Sequence, residues 1–164
     1  MQRISFIINP IAGTRAKKNI SDFILQELDK EKYVPEFRTS EYAGHAHELA
    51  RQAAADGVDV VVAVGGDGTV NEVASALVNT ESVFAVIPCG SGNGLARHQH
   101  IPINIKGAIR VINEGKVRHL DYGTMGDKPF FCTCGVGFDA FVSQKFAEGG
   151  KRGFMSYIEK TLRE

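Results

Sequence analysis

A chain of 164 residues, 43% hydrophobic and 23% charged, is long enough to bury one core and too short for two comfortable domains. Nineteen basic and nineteen acidic residues cancel, which removes the global field that a nucleic-acid binder uses and leaves any phosphate to be held locally. The opening apolar run breaks at Asn9-Pro10, and Cys89, Cys132 and Cys134 lack metal spacing, so a leader peptide, a membrane span and an oxidising compartment are all disfavoured and a cytosolic protein with packed, reduced thiols is expected.

Apolar runs of strand length alternate with segments of helical period, the pattern of a mainly parallel sheet covered by helices. Residues 4–8 read as the first strand; Ile20, Phe23, Ile24 and Leu28 share one face of a helix; residues 33–39 read as the second strand. Ala46, Leu49, Ala50 and Ala53 mark a second helix stopped near Gly57, and the β-branched run 58–64 predicts a central strand. A helix over 70–78, a strand over 84–87 ended by Pro88, and a helix around 108–113 stopped at Gly115 continue the alternation. Beyond it, strands at 117–122 and 130–134 are expected to pair as a hairpin through the turn-rich 123–129. Helical patterns at 140–147 and 154–162 flank a basic glycine joint at 149–153. The fold class is therefore α/β, with a β-hairpin and helices towards the C-terminus, in a single domain over 1–164.

Gly65-Gly66-Asp67-Gly68-Thr69 stands directly after the 58–64 strand and before a helix beginning near Val70. In a parallel sheet that is the carboxyl end of a strand, where ligands bind. Glycines let backbone approach a phosphate closely, and the opening N–H groups of a helix favour an anion. Asp67 would repel phosphate oxygens unless Mg²⁺ lies between them or the carboxylate takes a proton from a hydroxyl nucleophile, and both roles suit phosphoryl transfer. The plainer alternative is that Thr69 and Glu72 form a capping box that merely starts the helix. A second loop, Pro88-Cys89-Gly90-Ser91-Gly92-Asn93-Gly94, has the same placement and offers the Ser91 hydroxyl and Asn93 amide to a nucleotide. Asn9-Pro10-Ile11-Ala12-Gly13 repeats the placement after the first strand, so three loops would meet at one edge of the sheet.

These segments resemble the diacylglycerol kinase catalytic-domain family, which includes bacterial lipid kinases and sphingosine kinases. The resemblance rests on Asn9-Pro10 with Ala12-Gly13, Thr39 followed by Gly44-His45-Ala46, GGDGTVNE from Gly65 to Glu72, PCGSGNGLAR from Pro88 to Arg97, and GVGFDA from Gly135 to Ala140, in the family's order over nearly the whole chain. It implies a phosphofructokinase-like nucleotide-binding fold. It also implies ATP contacts from Asn9, Pro10, Ile11, Ala12, Gly13, Thr39, Gly65, Gly66, Asp67, Gly68, Thr69, Val70, Asn71, Glu72, Gly90, Ser91 and Asn93. Asp67 would then lie beside the phosphates and Mg²⁺, with Asp121, at the end of the 117–122 strand, near the acceptor. Where many bacterial members show Gly-Thr-x-Asn-Asp, this chain has Gly90-Ser91-Gly92-Asn93-Gly94, which keeps the hydroxyl and loses the acid.

The resemblance further implies a second, β-rich domain carrying an Asp-Gly-Glu segment that nothing here matches, so residues 1–164 alone are expected to bind nucleotide weakly and not to turn over. The implied reaction is transfer of the γ-phosphate of ATP to a lipid hydroxyl, on diacylglycerol or a sphingoid-like base, in lipid metabolism. A lipid acceptor places the protein at a membrane surface, where Arg15, Lys17, Lys18, Lys151 and Arg152 are candidate headgroup contacts. An edge strand around Phe130 is a candidate for homodimer pairing. Rival expectations are an NAD kinase or sugar-phosphate kinase sharing GGDGT, and a nucleotide-sensing module without catalysis.

Overall fold

β-Branched runs at the right spacing produce a four-stranded sheet. In the computed structural model, which describes residues 1–12, 19–137 and 140, the strands are β1 (Gln2–Ile8), β2 (Tyr33–Thr39), β3 (Val60–Gly65) and β4 (Val83–Pro88), in the order β2-β1-β3-β4. All three pairings are parallel: Gln2 faces Tyr33 and Ile8 faces Thr39, Ile4 faces Val60, and Val60 faces Val83. The central positions explain the composition. Every residue of β3 is buried and so are the last five of β1, because helices cover both faces of a parallel sheet and leave no solvent side for polar residues. The edge strand β2 is only half-buried and tolerates Pro35, whose missing N–H would interrupt a central ladder.

Helices α1 (Ile20–Glu27) and α5 (Ile105–Glu114) pack on one face, with Ile20, Ile24, Ile109 and Ile112 against Ile4, Phe6, Val60 and Val62. Helices α2 (His45–Ala55), α3 (Asp67–Leu77) and the short α4 (Gly94–His98) cover the other, where Ala46, Ala50, Ala53, Val70, Val73 and Leu95 meet Ile7, Val61 and Ala63. The small side chains of α2 let it lie close to the sheet. At α5 the local chemistry is complete: the Gly107 N–H donates to the Asn104 side chain at 2.8 Å, and Gly115 ends the helix at φ 66°.

Chain direction across the sheet decides where the crevice lies. The chain leaves β1 for α1 on one face and leaves β3 for α3 on the other, so the neighbouring strands β1 and β3 send their connections apart. That is the topological switch point of an open parallel sheet, the position outside the strand ends where ligands bind.

Four expectations are corrected. Phe23 is 37% exposed, lying off the stripe that Ile20, Ile24 and Leu28 bury. No strand forms over 117–122; the hairpin is β5 (Gly123–Met125) with β6 (Lys128–Phe130), which falls on the segment 123–129 expected to be its turn and reaches only the first residue of the expected second strand. The cause is a tight two-residue connection, Gly126-Asp127, with Gly126 at φ 62° between the paired Met125 and Lys128. Asp121 therefore ends no strand and is exposed. Cys132 and Cys134 are exposed and so are not packed thiols, whereas Cys89 is half-buried and packs against the core. The patterns expected over 141–164, the motif residues Phe138 and Asp139, and the basic residues Arg15, Lys17, Lys18, Lys151 and Arg152 lie outside the described residues, as does Gly13.

Candidate functional site

The rim is assembled where β3 and β4 end together. The Cys89 N–H donates to the Gly65 carbonyl at 2.7 Å, carrying the strand pairing one step past the sheet. Gly66 and Gly90 then pass each other so closely that a Cβ on Gly90 would stand 2.6 Å from the Gly66 Cα. Position 90 must be glycine for that approach, and a side chain at 66 would crowd it, with a Cβ 3.2 Å from the Gly90 Cα. Helix α3 begins at Asp67, earlier than its hydrophobic pattern suggests, with Gly66 as a cap that supplies no side-chain acceptor.

The capping-box alternative is thereby removed. Thr69 is buried within the first turn, and its hydroxyl accepts the Asn9 side-chain amide at 3.0 Å. Glu72 turns away from its own helix start: its two carboxylate oxygens accept the Gly44 N–H at 3.0 Å and the Ala46 N–H at 3.2 Å.

Asp67 reaches across to the second loop. Its carboxylate oxygens accept the Asn93 N–H at 2.8 Å and the Gly94 N–H at 2.6 Å. A Cβ on Gly92 would press against the same carboxylate at 2.7 Å, so glycine there lets the loop wrap the acid. The loop is itself rigid. Asn93, at φ 55° and 3% exposed, accepts the Gly90 N–H at 2.8 Å and donates to the Gly90 carbonyl at 2.7 Å. Asparagine tolerates this left-handed conformation better than most residues. Ser91 is exposed at the loop tip.

The first loop closes the rim on the β1 side. The Asn9 N–H donates to the Val64 carbonyl at 3.0 Å, its side-chain oxygen accepts the Ile11 N–H at 3.1 Å, and Ala12 turns back onto the Asn9 carbonyl at 3.3 Å. Pro10 and Ile11 are exposed. One strand further out, Thr39 is exposed at the end of β2 and Ser40 is tied to the Ile8 carbonyl at 2.9 Å. Asn9, Thr69, Asp67, Gly66, Gly90 and Asn93 are thus joined through direct contacts. Thr39 sits at the same rim, while Glu72 faces α2.

A cavity of about 350 Å³ opens beside Asp67, lined also by Val70, Asn71, Leu95 and the segment 131–133. A second, of about 400 Å³, adjoins it across that segment and is lined by Leu120, Asp121, Tyr122 and Phe130. Phe131, Cys132 and Thr133 form the wall common to both. They were missed as site residues, since no glycine or acid marks them and only the return of the chain brings them to α3. Asp121 lines the second cavity and not the first.

Among the described residues no group of three or more His, Cys, Asp or Glu side chains could hold a metal. Asp67 is exposed, and a carboxylate oxygen that accepts one N–H keeps a lone pair. It therefore fits a Mg²⁺ ion whose remaining ligands are phosphate oxygens and water, the usual manner of binding for that ion.

Fold and rim together define an open parallel α/β protein with a glycine-lined crevice at its switch point. Residues 3–125 match the family model described as diacylglycerol kinase catalytic domain, and the chain belongs to that family. It is 32% identical over 158 positions to a diacylglycerol kinase of Staphylococcus epidermidis, covering 95% of this chain and 46% of that protein. A diacylglycerol kinase of Staphylococcus aureus is 35% identical over 131 positions, covering 79% and 42%. An uncharacterised protein of Synechocystis is 34% identical over 164 positions, covering 93% and 38%. The chain thus spans less than half the length of these relatives. Among solved structures, a diacylglycerol kinase from Bacillus anthracis superposes with a TM-score of 0.67 at 24% identity, over 79% of this chain and 48% of that one, which supports the fold.

Proposed function

We propose that residues 1–164 form the nucleotide-binding part of an ATP-dependent kinase that phosphorylates a lipid hydroxyl, on diacylglycerol or a related lipid. The observation that carries the proposal is the direct joining of three strand-end loops around one carboxylate: Asn9 to Thr69, and Asp67 to Asn93 and Gly94. A rim of glycine backbone and helix-opening amides suits a phosphate chain. Family membership and the diacylglycerol kinase names of its relatives favour ATP as donor and a lipid as acceptor.

In this reading Gly65, Gly66, Gly68 and Gly90 keep side chains out of the phosphate path, and Asn9 and Thr69 hold the first loop against α3. Val70 and Asn71 line the cavity beside Asp67, where the acceptor hydroxyl enters; Ser91 offers its hydroxyl from the loop tip. A bound Mg²⁺, with Asp67 as its carboxylate, would neutralise charge developing on the transferred group. The cavity beside Leu120, Asp121 and Tyr122 is the candidate approach for the acceptor. Access to such an acceptor requires peripheral contact with a membrane from the cytoplasm. Among the described residues no helix is long and apolar enough to cross one. As this chain spans less than half of its relatives, full turnover is assigned to a longer protein and the fragment is expected to bind without catalysing.

The test is a radiolabelled ATP transfer assay on a full-length protein carrying this domain, with diacylglycerol vesicles and with NAD and fructose 6-phosphate as controls. Asp67→Asn should lower kcat by about 100-fold or more, the scale of losing an electrostatic group at a transition state, while near-native circular dichroism is retained. Wild-type kcat in that variant, or transfer to the controls alone, would remove the proposal.

A further inference from the structure

We infer that Glu72 is a positioning residue of the nucleotide site, acting through segment 40–46, and not a group that touches the nucleotide. The inference rests on the nucleotide-binding role proposed above. Helix α2 opens at Gly44, φ 90°, which has no side chain to cap it. Its opening N–H groups need an acceptor from elsewhere. Glu72, in α3, supplies both bonds from 28 and 26 residues away in sequence. Each of its carboxylate oxygens is committed to one backbone amide, and its charge lies at the favourable end of the α2 dipole.

The consequence comes from where α3 begins. About one and a half turns before Glu72, Asp67 holds the second glycine loop by the same chemistry, a carboxylate accepting two backbone amides. One short helix therefore clamps a loop at each of two points. Segment 40–46 is also bound to the rim, since Ser40 donates to the Ile8 carbonyl beside Asn9. Within it the Tyr42 and His45 rings stack at 4.4 Å and 5°, and His45 Nδ1 accepts the Glu41 N–H at 3.1 Å. Glu72 thus sets how Thr39 and this compact turn stand relative to the phosphate loops. Parts of a nucleotide beyond its phosphates would meet that turn, two strands away from β3.

Glu72→Gln keeps the shape but places an NH₂ group against a backbone N–H. In the nucleotide-free chain 1–164, hydrogen exchange at Gly44 and Ala46 should speed up by about tenfold, and calorimetric affinity for Mg·ATP should fall by a similar factor, the scale of one hydrogen bond to a charged acceptor. Affinity for Mg·tripolyphosphate should change by less than about twofold, because the phosphate loops are held separately. Glu72→Asp, which keeps the charge and withdraws it, should show the same split, and it decides the matter if the Gln variant does not fold. Weaker ATP binding with unchanged exchange makes Glu72 a direct contact and overturns the inference. Equal weakening of ATP and tripolyphosphate, or unchanged ATP affinity, overturns it too. A wild-type chain that binds neither ligand instead sinks the nucleotide role on which the inference stands.

Discussion

Ser5 occupies the middle of β1, fully buried, and its hydroxyl has no hydrogen-bond partner among the described residues. Strand alternation puts it on the same face as Ile7, towards the alanines of α2. A buried hydroxyl without a partner costs about 1–3 kcal/mol, so Ser5→Ala should raise the urea midpoint by an amount equivalent to about 1 kcal/mol. An unchanged midpoint would mean that the hydroxyl is satisfied in solution. At the same scale, Asp67 shows how far residue types alone can lead. An acid among three glycines announces a site, but its bonds to Asn93 and Gly94 join residues 26 and 27 positions apart, and no local pattern encodes that pairing. Glu72 was expected to contact ATP, and its place opposite Gly44 was hidden for the same reason.

Elements with local signals are legible in the sequence. Residues 33–39 coincide with β2, and the Gly115 stop ends α5, because period and capping are encoded within a few residues. The hairpin falls later than the apolar positions Val117, Leu120 and Tyr122 suggest, because those side chains stay exposed and the Gly126-Asp127 turn sets the pairing. At the C-terminal end of α2, Asp56 accepts from Gln52 at 2.8 Å and pairs with Arg38 at 3.4 Å. The Gln52 hydrogen bond, followed by the Arg38 bond and the Arg38 and Arg3 charges, holds its carboxyl below the ordinary 3.8 against a smaller opposing effect of burial. A carboxyl lowered on folding stabilises the native state above its unfolded pKa, and that contribution disappears as pH falls through the folded value. Asp56→Asn should therefore flatten the fall in melting temperature below about pH 4 and leave its neighbours' titration in place. An acid limb identical to wild type would show that the pairing does not persist in solution. The Tyr42 hydroxyl is shifted upward, chiefly by its hydrogen bond to Glu48.

At the scale of the molecule, two cores on opposite faces of one sheet hold the rim loops in register. A ligand that binds only the native state stabilises it by about 2.7 kcal/mol at 100 times Kd, or about 5–10 °C in a domain of this size. Mg·ATP at that excess should raise the melting temperature of residues 1–164 by this amount, and adenosine at equal concentration by far less. Equal shifts would place the binding energy away from the phosphate loops. By itself the sequence determined the alternation of strand and helix, the parallel sheet, and the three glycine loops at one rim, because burial on both faces and freedom at φ are written in neighbouring residues. Only tertiary structure decided that Asp67 clasps the second loop, that Glu72 serves α2, and that 131–133 walls the cavities. Those contacts join distant parts of the chain, and their partners are chosen by the packing of α3 beside α2 on one face of the sheet.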